Sequence, residues 1–153
     1  MTSGGDNRRM TPTLSPAALR LGYAGLVPFV LGAALVWIVH PEVLPYATLS
    51  LAAYAATVVS FLGGIHWGIG FREAQPEGRL FVNGVVPPLV AWAGVMMPAN
   101  AGLVVLGVML VVCYLMDRGV YQRHGMGHWL TLRFRLSAIA SLSCFLGAAG
   151  AGS

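Results

Sequence analysis

The chain has 153 residues, of which 57% are hydrophobic and 9% are charged, and its mean hydropathy is +0.74. Because soluble domains carry about 25% charged residues, this composition excludes an ordinary soluble domain and indicates an integral membrane protein. The net charge of +4 comes without a dense basic segment, so the sequence predicts no nucleic-acid partner.

Five apolar segments approach or reach the length of about 20 residues that a helix needs to cross a bilayer. They are residues 17–39, 46–71, 80–97, 99–116 and 134–151. Charged or turn-forming residues separate them, and the last connection, residues 117–133, is predicted to be the longest loop. The sequence therefore predicts an all-α bundle of five transmembrane helices at residues 17–152, preceded by a disordered cytoplasmic tail at residues 1–16.

Two of these segments allow another interpretation. The first follows several arginines, as a signal peptide does, but its apolar run exceeds the usual core of about 7 to 15 residues and lacks a small-residue cleavage site. The third is short and contains Pro87 and Pro88, which are also compatible with a kinked or re-entrant segment.

The basic residues lie on one side of the predicted topology. Five spans place the N-terminal tail and the second and fourth connections together, and these segments with their helix ends contain all nine basic residues. The opposite side carries only Glu42 and His40. Since basic residues are retained in the cytoplasm, the N-terminus is predicted to lie inside and the C-terminus outside. The basic residues are Arg8, Arg9, Arg20, Arg72, Arg79, Arg118, Arg123, Arg133 and Arg135.

Small residues recur at every fourth position of the second segment, where they predict a surface for helix packing. Helices in lipid associate through the close approach of small residues, so we expect this helix at the centre of the bundle. The residues of this small-residue stripe are Ala52, Ala56, Ser60, Gly64 and Gly68.

Residues 60–68 place an ionisable side chain, His66, inside a span, beside Trp67 and among glycines. An ionisable side chain within a membrane indicates a functional site. Other polar residues are expected at a similar depth near the cytoplasmic face, so the sequence predicts one polar cluster. Its members are His66, Trp67, Asn83, Tyr23, Asp117 and Arg135.

A structural interpretation of the same residues stays open. His66 could instead donate a hydrogen bond to a carbonyl group or to Asn83, and Trp67 could be an interfacial anchor. Asp117 and Arg135 could be helix-end charges that pair with each other or with solvent.

The sequence predicts no cofactor and no metal site. His66 has no second intramembrane histidine for a haem with two histidine ligands, and Cys113 and Cys144 are expected at different depths. Two histidines lie close together in residues 124–128, but the intervening glycines argue against a preformed site. No motif identifies a catalytic or cofactor-binding residue.

Several segments resemble a known family of small membrane proteins, those similar to the animal protein called transmembrane protein sixty-nine, which share a domain of unknown function. The Gly-Gly-Ile-His-Trp-Gly sequence at residues 63–68 is the most specific of them, whereas Pro88 departs from the small polar residue expected there. The resemblance implies a multi-span protein of the bacterial or mitochondrial inner membrane and brings no established activity. The resembling segments are residues 21–29, 60–68, 87–92, 117–118 and 129–136.

Small size and sparse chemistry favour a non-enzymatic membrane protein that serves as a scaffold, assembly factor or accessory subunit of a membrane complex. The alternatives are a small transporter or channel, and a redox or lipid-modifying enzyme that uses His66. The expected partners are the lipid bilayer and either another membrane protein or a second copy of the chain. The expected location is the bacterial inner membrane, with the mitochondrial inner membrane as the alternative.

Overall fold

The computed structural model describes residues 14–152, in which the chain forms helices joined by short connections and no β-strand. The elements are α1 (Pro16–Ala24), α2 (Val27–Ile38), α3 (Leu44–Gly70), α4 (Gly78–Met96), α5 (Ala99–Arg123), a 3₁₀ helix (Gly127–Trp129) and α6 (Leu130–Ala151).

The predicted disordered tail overlaps the first helix by one residue. Ser15 Oγ accepts a hydrogen bond of 3.1 Å from the Ala18 amide, and Pro16 follows as the first helical residue, a combination that favours helix initiation. The predicted tail up to residue 13 lies outside the described residues, as does Ser153.

Within residues 14–152, five helical segments are long and apolar enough to span a membrane. The first consists of α1 and α2 together, with a break at Gly25 and Leu26 just before Pro28. The other four are α3, α4, α5, and α6 with its preceding 3₁₀ helix. The prediction of an all-α membrane protein with five spans is therefore confirmed.

The last connection is much shorter than predicted. Helix α5 continues to Arg123 and the 3₁₀ helix begins at Gly127, which leaves only residues 124–126 between them. Gly125 forms the turn with a φ of 70°, a conformation that glycine adopts without strain. The prediction of a loop at residues 117–133 is wrong because both helices extend beyond their apolar stretches and carry charged residues into the bundle.

Helix α3 packs against α2, α4, α5 and α6, so it lies at the centre of the bundle as predicted. Its buried residues recur with the helical period and include the fully buried Ala55 and Val59. Phe29 of α2 and Leu103 and Leu106 of α5 are buried in the same core. These apolar contacts hold the helices at defined rotations, which places the polar residues described below.

The small-residue stripe is only partly buried. Ala52 is buried and Ala56 half-buried, whereas Ser60, Gly64 and Gly68 are exposed. Each step of four residues advances about 40° around a helix of 3.6 residues per turn, so Gly68 lies about 160° from Ala52. The prediction that the whole stripe is an internal packing surface is therefore wrong for its last three residues.

The close approach of α3 and α4 takes place at Gly63 instead. A Cβ atom at Gly63 would lie 2.5 Å from the Gly84 carbonyl oxygen, and one at Gly84 would collide with the Trp67 ring. The Trp67 Nε1 donates a hydrogen bond of 3.1 Å to the Phe81 carbonyl, and the two rings pack edge to face. Glycine at both positions thus permits the backbone contact that Trp67 then covers.

The orientation of the bundle stays a prediction from the arginines. A reporter fused after Ser153 should read as periplasmic, and one inserted at Gly125 should read as cytoplasmic, because basic segments are retained inside. Paired alkaline phosphatase and fluorescent-protein fusions measure both positions. Two reporters on the same side would contradict the five-span model, because one span, that of α6, separates the two positions.

Candidate functional site

Three buried ionisable side chains meet where α3 and α5 end and α6 begins. We call His66 of α3, Asp117 of α5 and Arg133 of α6 the buried charged cluster. Their exposed fractions are 1%, 0% and 8%. Because ionisable side chains are rarely buried in this way without a partner, the cluster is the first candidate for a functional site in the described chain.

Asp117 and Arg133 form an ion pair within this cluster. The Arg133 Nε donates a hydrogen bond of 2.9 Å to Asp117 Oδ2, and Nη2 donates a second, short one to the same oxygen. The Arg133 Nη1 lies 3.5 Å from Ser137 Oγ, one turn further along α6. The pair therefore joins α5 to α6 with a geometry that compensates for part of the cost of burying two charges.

His66 completes the cluster without a hydrogen bond. Its Nε2 lies 3.5 Å from Asp117 Oδ1, which allows a charge interaction but exceeds hydrogen-bond length. Among residues 14–152, neither ring nitrogen of His66 nor Asp117 Oδ1 has a hydrogen-bond partner. An unpaired buried polar group costs about 1 to 3 kcal/mol, so packing alone does not account for an imidazole here.

The cluster has the groups needed to hold or exchange one proton. A neutral imidazole carries one donor and one acceptor, and the Asp117 carboxylate faces it while Arg133 balances the negative charge. The burial of all three side chains leaves a substrate no direct contact with His66 in this conformation.

The other predicted members of the polar cluster lie elsewhere. Trp67 covers the glycine contact between α3 and α4, and Asn83 lines a separate small cavity of about 110 Å³. Tyr23 and Arg135 are exposed, with 3.4 Å between the Arg135 Nη1 and the Tyr23 hydroxyl. The structure thus brings together His66 and Asp117 from the predicted set. The prediction of one polar pocket, and the alternative hydrogen bond from His66 to Asn83, are wrong.

Arg133, and not Arg135, is the partner of Asp117. Two residues along a helix correspond to a rotation of about 200° around its axis, so the two arginines face opposite sides of α6. The predicted span begins at residue 134 and so leaves Arg133 in a loop, whereas α6 begins at Leu130. The spacing of Arg133, Ser137 and Ser141 is the signal that identifies this face, because polar residues at i, i+4 and i+8 share one side of a helix.

A second group of ionisable side chains lies outside the spans, where the α3–α4 connection meets the end of α5. The His124 Nε2 forms a short contact with the Glu73 carboxylate, and its Nδ1 lies 2.7 Å from the Val120 carbonyl oxygen. Both ring nitrogens face acceptors, and only the protonated ring donates to both. The Val120 carbonyl first, and the Glu73 carboxylate second, therefore raise the pKa of His124 above its ordinary value of 6.5.

This contact should make stability depend on pH. A pKa that is higher in the folded state means that the contact stabilises the fold fully below about pH 6.5 and loses its effect as pH rises through the folded pKa. Glu73→Gln should therefore lower the free energy of unfolding at acidic pH by at most about 1 kcal/mol, and by less at alkaline pH. Thermal midpoints measured at both pH values report this difference. Glu77→Gln is the control, and a pH-independent difference between wild type and Glu73→Gln would contradict the assignment.

Among the described residues, no group of three or more His, Cys, Asp or Glu side chains is placed to hold a metal ion. The two loop histidines have separate neighbours, because His124 faces Glu73 while the His128 ring packs beside Trp129. Cys113 and Cys144 are both buried free thiols.

Comparison with known proteins agrees with the resemblance drawn from the sequence. The chain is similar to Transmembrane protein 69 of Xenopus tropicalis, with 38% identity over 104 residues that cover 63% of this chain and 41% of the Xenopus protein. It is also similar to Transmembrane protein 69 of Mus musculus, with 32% identity over 82 residues that cover 52% of this chain and 33% of the mouse protein. The chain thus spans less than half the length of these curated relatives.

No solved structure matches the chain. Residues 14–149 match the family described as "Protein of unknown function (DUF3429)". This match covers nearly all of the described helices, and the helices are those of a membrane protein. The chain therefore belongs to this family of multi-pass membrane proteins whose function is unknown.

Proposed function

We propose that the protein is a non-enzymatic accessory subunit, scaffold or assembly factor of a membrane complex, and that it binds its partner through one exposed side of α3. We define the α3 face as Ser60, Gly64 and Gly68 together with the bordering Phe61. The observation that carries the proposal is that this face is open: Cβ atoms at Gly64 and Gly68 would meet nothing within 4 Å.

The α3 face has the properties of a helix-packing surface. Small residues permit a second helix to approach closely, and Ser60 Oγ already donates a hydrogen bond of 2.8 Å to the Ala56 carbonyl, so it needs no other partner. Glycine lowers helix stability by about 1 kcal/mol relative to alanine. Two exposed glycines within α3 are therefore unfavourable unless a partner helix packs against them.

The interior of the bundle favours this role over transport or catalysis. The half of the bundle away from the buried charged cluster is filled by side chains such as Phe29, Leu103 and Leu106. A channel needs a hydrated or polar route, and an interfacial enzyme needs an accessible catalytic group. His66 is too deeply buried to be the accessible catalytic group of such an enzyme.

The proposed partner is another membrane protein or a second copy of this chain, met within the lipid bilayer. The proposed location is the bacterial inner membrane, with the mitochondrial inner membrane as the alternative. In either membrane the α3 face lies along a span, so the contact is made between helices and not between loops.

Photocrosslinking from Phe61 tests this proposal. A benzoylphenylalanine at this exposed position replaces one aromatic ring by another beside the α3 face. We expect a stoichiometric crosslink to a membrane protein or to a second copy of the chain, whereas the same probe at exposed Phe134 of α6 should label lipid only.

A packing variant makes the test specific. Gly64→Leu should abolish the Phe61 crosslink without lowering the thermal stability of the isolated protein, because a side chain at this position meets nothing within the chain. Val108→Leu, an enlargement at an exposed position of α5, should leave the crosslink intact. A crosslink that survives Gly64→Leu, or lipid adducts alone from Phe61, would refute the α3 face as the partner surface.

A proton-coupled small transporter is the second candidate function, and the unpaired His66 favours it. Its buried imidazole lies next to Asp117, and proton pathways through membranes use such groups. The outer half of the core has no corresponding chain of ionisable groups within residues 14–152, which ranks this function below an accessory role.

Replacement of His66 separates the two functions. In an accessory protein, His66→Gln should insert, accumulate and complement a deletion strain, and His66→Leu should do the same, because neither ring nitrogen makes a hydrogen bond that leucine would remove. Glutamine cannot titrate near neutral pH, so a transporter that uses the His66 proton should lose function in both variants. An abundant His66→Gln variant that fails to complement would favour the transporter.

A further inference from the structure

A cavity of about 450 Å³ lies between the first membrane segment, α3 and α6. Most of its lining is apolar, with side chains such as Leu26, Phe29 and Leu62. Its volume is within the range of about 300 to 1,000 Å³ found for small-molecule sites. Phe61 lies at the edge of both the cavity and the α3 face, whereas Ser60, Gly64 and Gly68 do not line the cavity.

One part of the cavity wall carries buried hydrogen-bond donors. Arg133, Ser137 and Tyr121 line it and are 8%, 5% and 4% exposed. A guanidinium group has five N–H donors and no acceptor, and the contacts of Arg133 with Asp117 and Ser137 use three of them. Tyr121 lines the same cavity as Arg133 and Ser137, and its hydroxyl supplies one further donor. Because the guanidinium only donates, a ligand group next to it must accept hydrogen bonds.

The donors add no net charge to the cavity, because Asp117 neutralises Arg133. A carboxylate or phosphate would bring an unpaired charge into a largely apolar space, which is strongly unfavourable. An uncharged carbonyl oxygen accepts the same hydrogen bonds without that cost. The remaining apolar wall suits a hydrocarbon or isoprenoid chain.

We propose that this cavity binds a membrane amphiphile with an apolar chain and an uncharged carbonyl head, whose oxygen accepts hydrogen bonds from Arg133, Ser137 and Tyr121. Two kinds of membrane molecule supply this chemistry: isoprenoid quinones, with ring carbonyls, and glycerolipids, with acyl ester carbonyls. The site lies between helices of the bundle, and its polar wall is distinct from Ser60, Gly64 and Gly68 of the α3 face.

Native mass spectrometry of the full chain, released from detergent micelles, measures this binding. Decylubiquinone and 1-monooleoylglycerol serve as the two carbonyl probes, and palmitate and hexadecane serve as the charged and the headless comparison. We expect one equivalent of a carbonyl probe to bind at least about tenfold more tightly than either comparison, because the comparisons lack a neutral acceptor. The tighter of the two carbonyl probes identifies the source.

Variants locate the site. Val58→Trp should abolish binding by filling the cavity, while the same substitution at exposed Val108 should leave it unchanged. Tyr121→Phe and Ser137→Ala each remove one hydroxyl donor and should weaken binding about 3- to 10-fold. Thermal midpoints measured without probe show which variants are folded. If only one of Tyr121→Phe and Ser137→Ala is folded, that variant alone tests the role of the hydroxyl donors.

Three outcomes would overturn the proposal. Equal binding of hexadecane or palmitate would show that the cavity holds chains without recognising a carbonyl. Binding that persists in Val58→Trp would place the ligand elsewhere on the protein. The absence of a bound carbonyl probe under conditions where the protein remains folded would remove the site altogether. None of these outcomes decides whether Gly64→Leu abolishes the Phe61 crosslink, because Gly64 does not line the cavity, so the two proposals can fail separately.

Discussion

Replacing Arg133 by methionine should lower the free energy of unfolding by about 3 to 5 kcal/mol. The substitution leaves the Asp117 carboxylate buried without a counter-charge, and His66 is too far from it to supply a full hydrogen bond. Denaturant unfolding of the purified protein in mild detergent micelles measures the change.

Two further variants show whether the ion pair causes this loss. Arg135→Met removes the same side chain two residues away, at an exposed position, and should leave stability nearly unchanged. The double variant Asp117→Leu/Arg133→Met removes both charges, so it should be more stable than Arg133→Met alone. Equal losses in Arg133→Met and Arg135→Met would exclude the buried charged cluster as a major structural contact.

Gly63→Ala should lower the free energy of unfolding by about 1 to 3 kcal/mol, because the new methyl group would lie 2.5 Å from the Gly84 carbonyl oxygen. Gly63 and Gly84 both lie within helices, and the Trp67 ring packs over the point where they meet. The overlap is therefore relieved only by moving α4 away from α3. The thermal midpoint and the accumulation level of the variant measure the cost.

Gly64→Ala is the matched control because it makes the same chemical change one residue along α3. Its methyl group would meet nothing within 4 Å, so the substitution should be neutral or stabilise the isolated protein by up to about 1 kcal/mol through helix propensity. A similar loss in both variants would show that Gly63 is not the specific point of contact between the two helices.

The buried charged cluster affects stability whether or not it binds and releases a proton during function. Its ion pair connects α5 and α6, and His66 extends it to α3, so changes in one charge alter the packing of three helices. Stability measurements on Arg133 variants therefore have to precede functional tests of His66. Only variants that accumulate normally distinguish a structural from a functional role.

The placement of the site residues could be predicted only in part. Asp117 and His66 were accessible from the sequence because an ionisable residue in or next to an apolar run is conspicuous. Arg133 was not, because the boundary of α6 depends on contacts that extend the helix past its apolar stretch. A shift of four residues in that boundary separates the prediction of Arg135 from the observed Arg133.

The sequence by itself determined the membrane class, the helical fold and the number of spans in the described chain. In lipid, backbone groups must be satisfied within each segment, so an apolar run of sufficient length forms a helix whatever its neighbours are. Only the tertiary structure decided which side of each helix faces the bundle. Core-facing and lipid-facing side chains are equally apolar in a membrane, so hydropathy does not distinguish Gly63 from Gly64, although about 100° of rotation separates them.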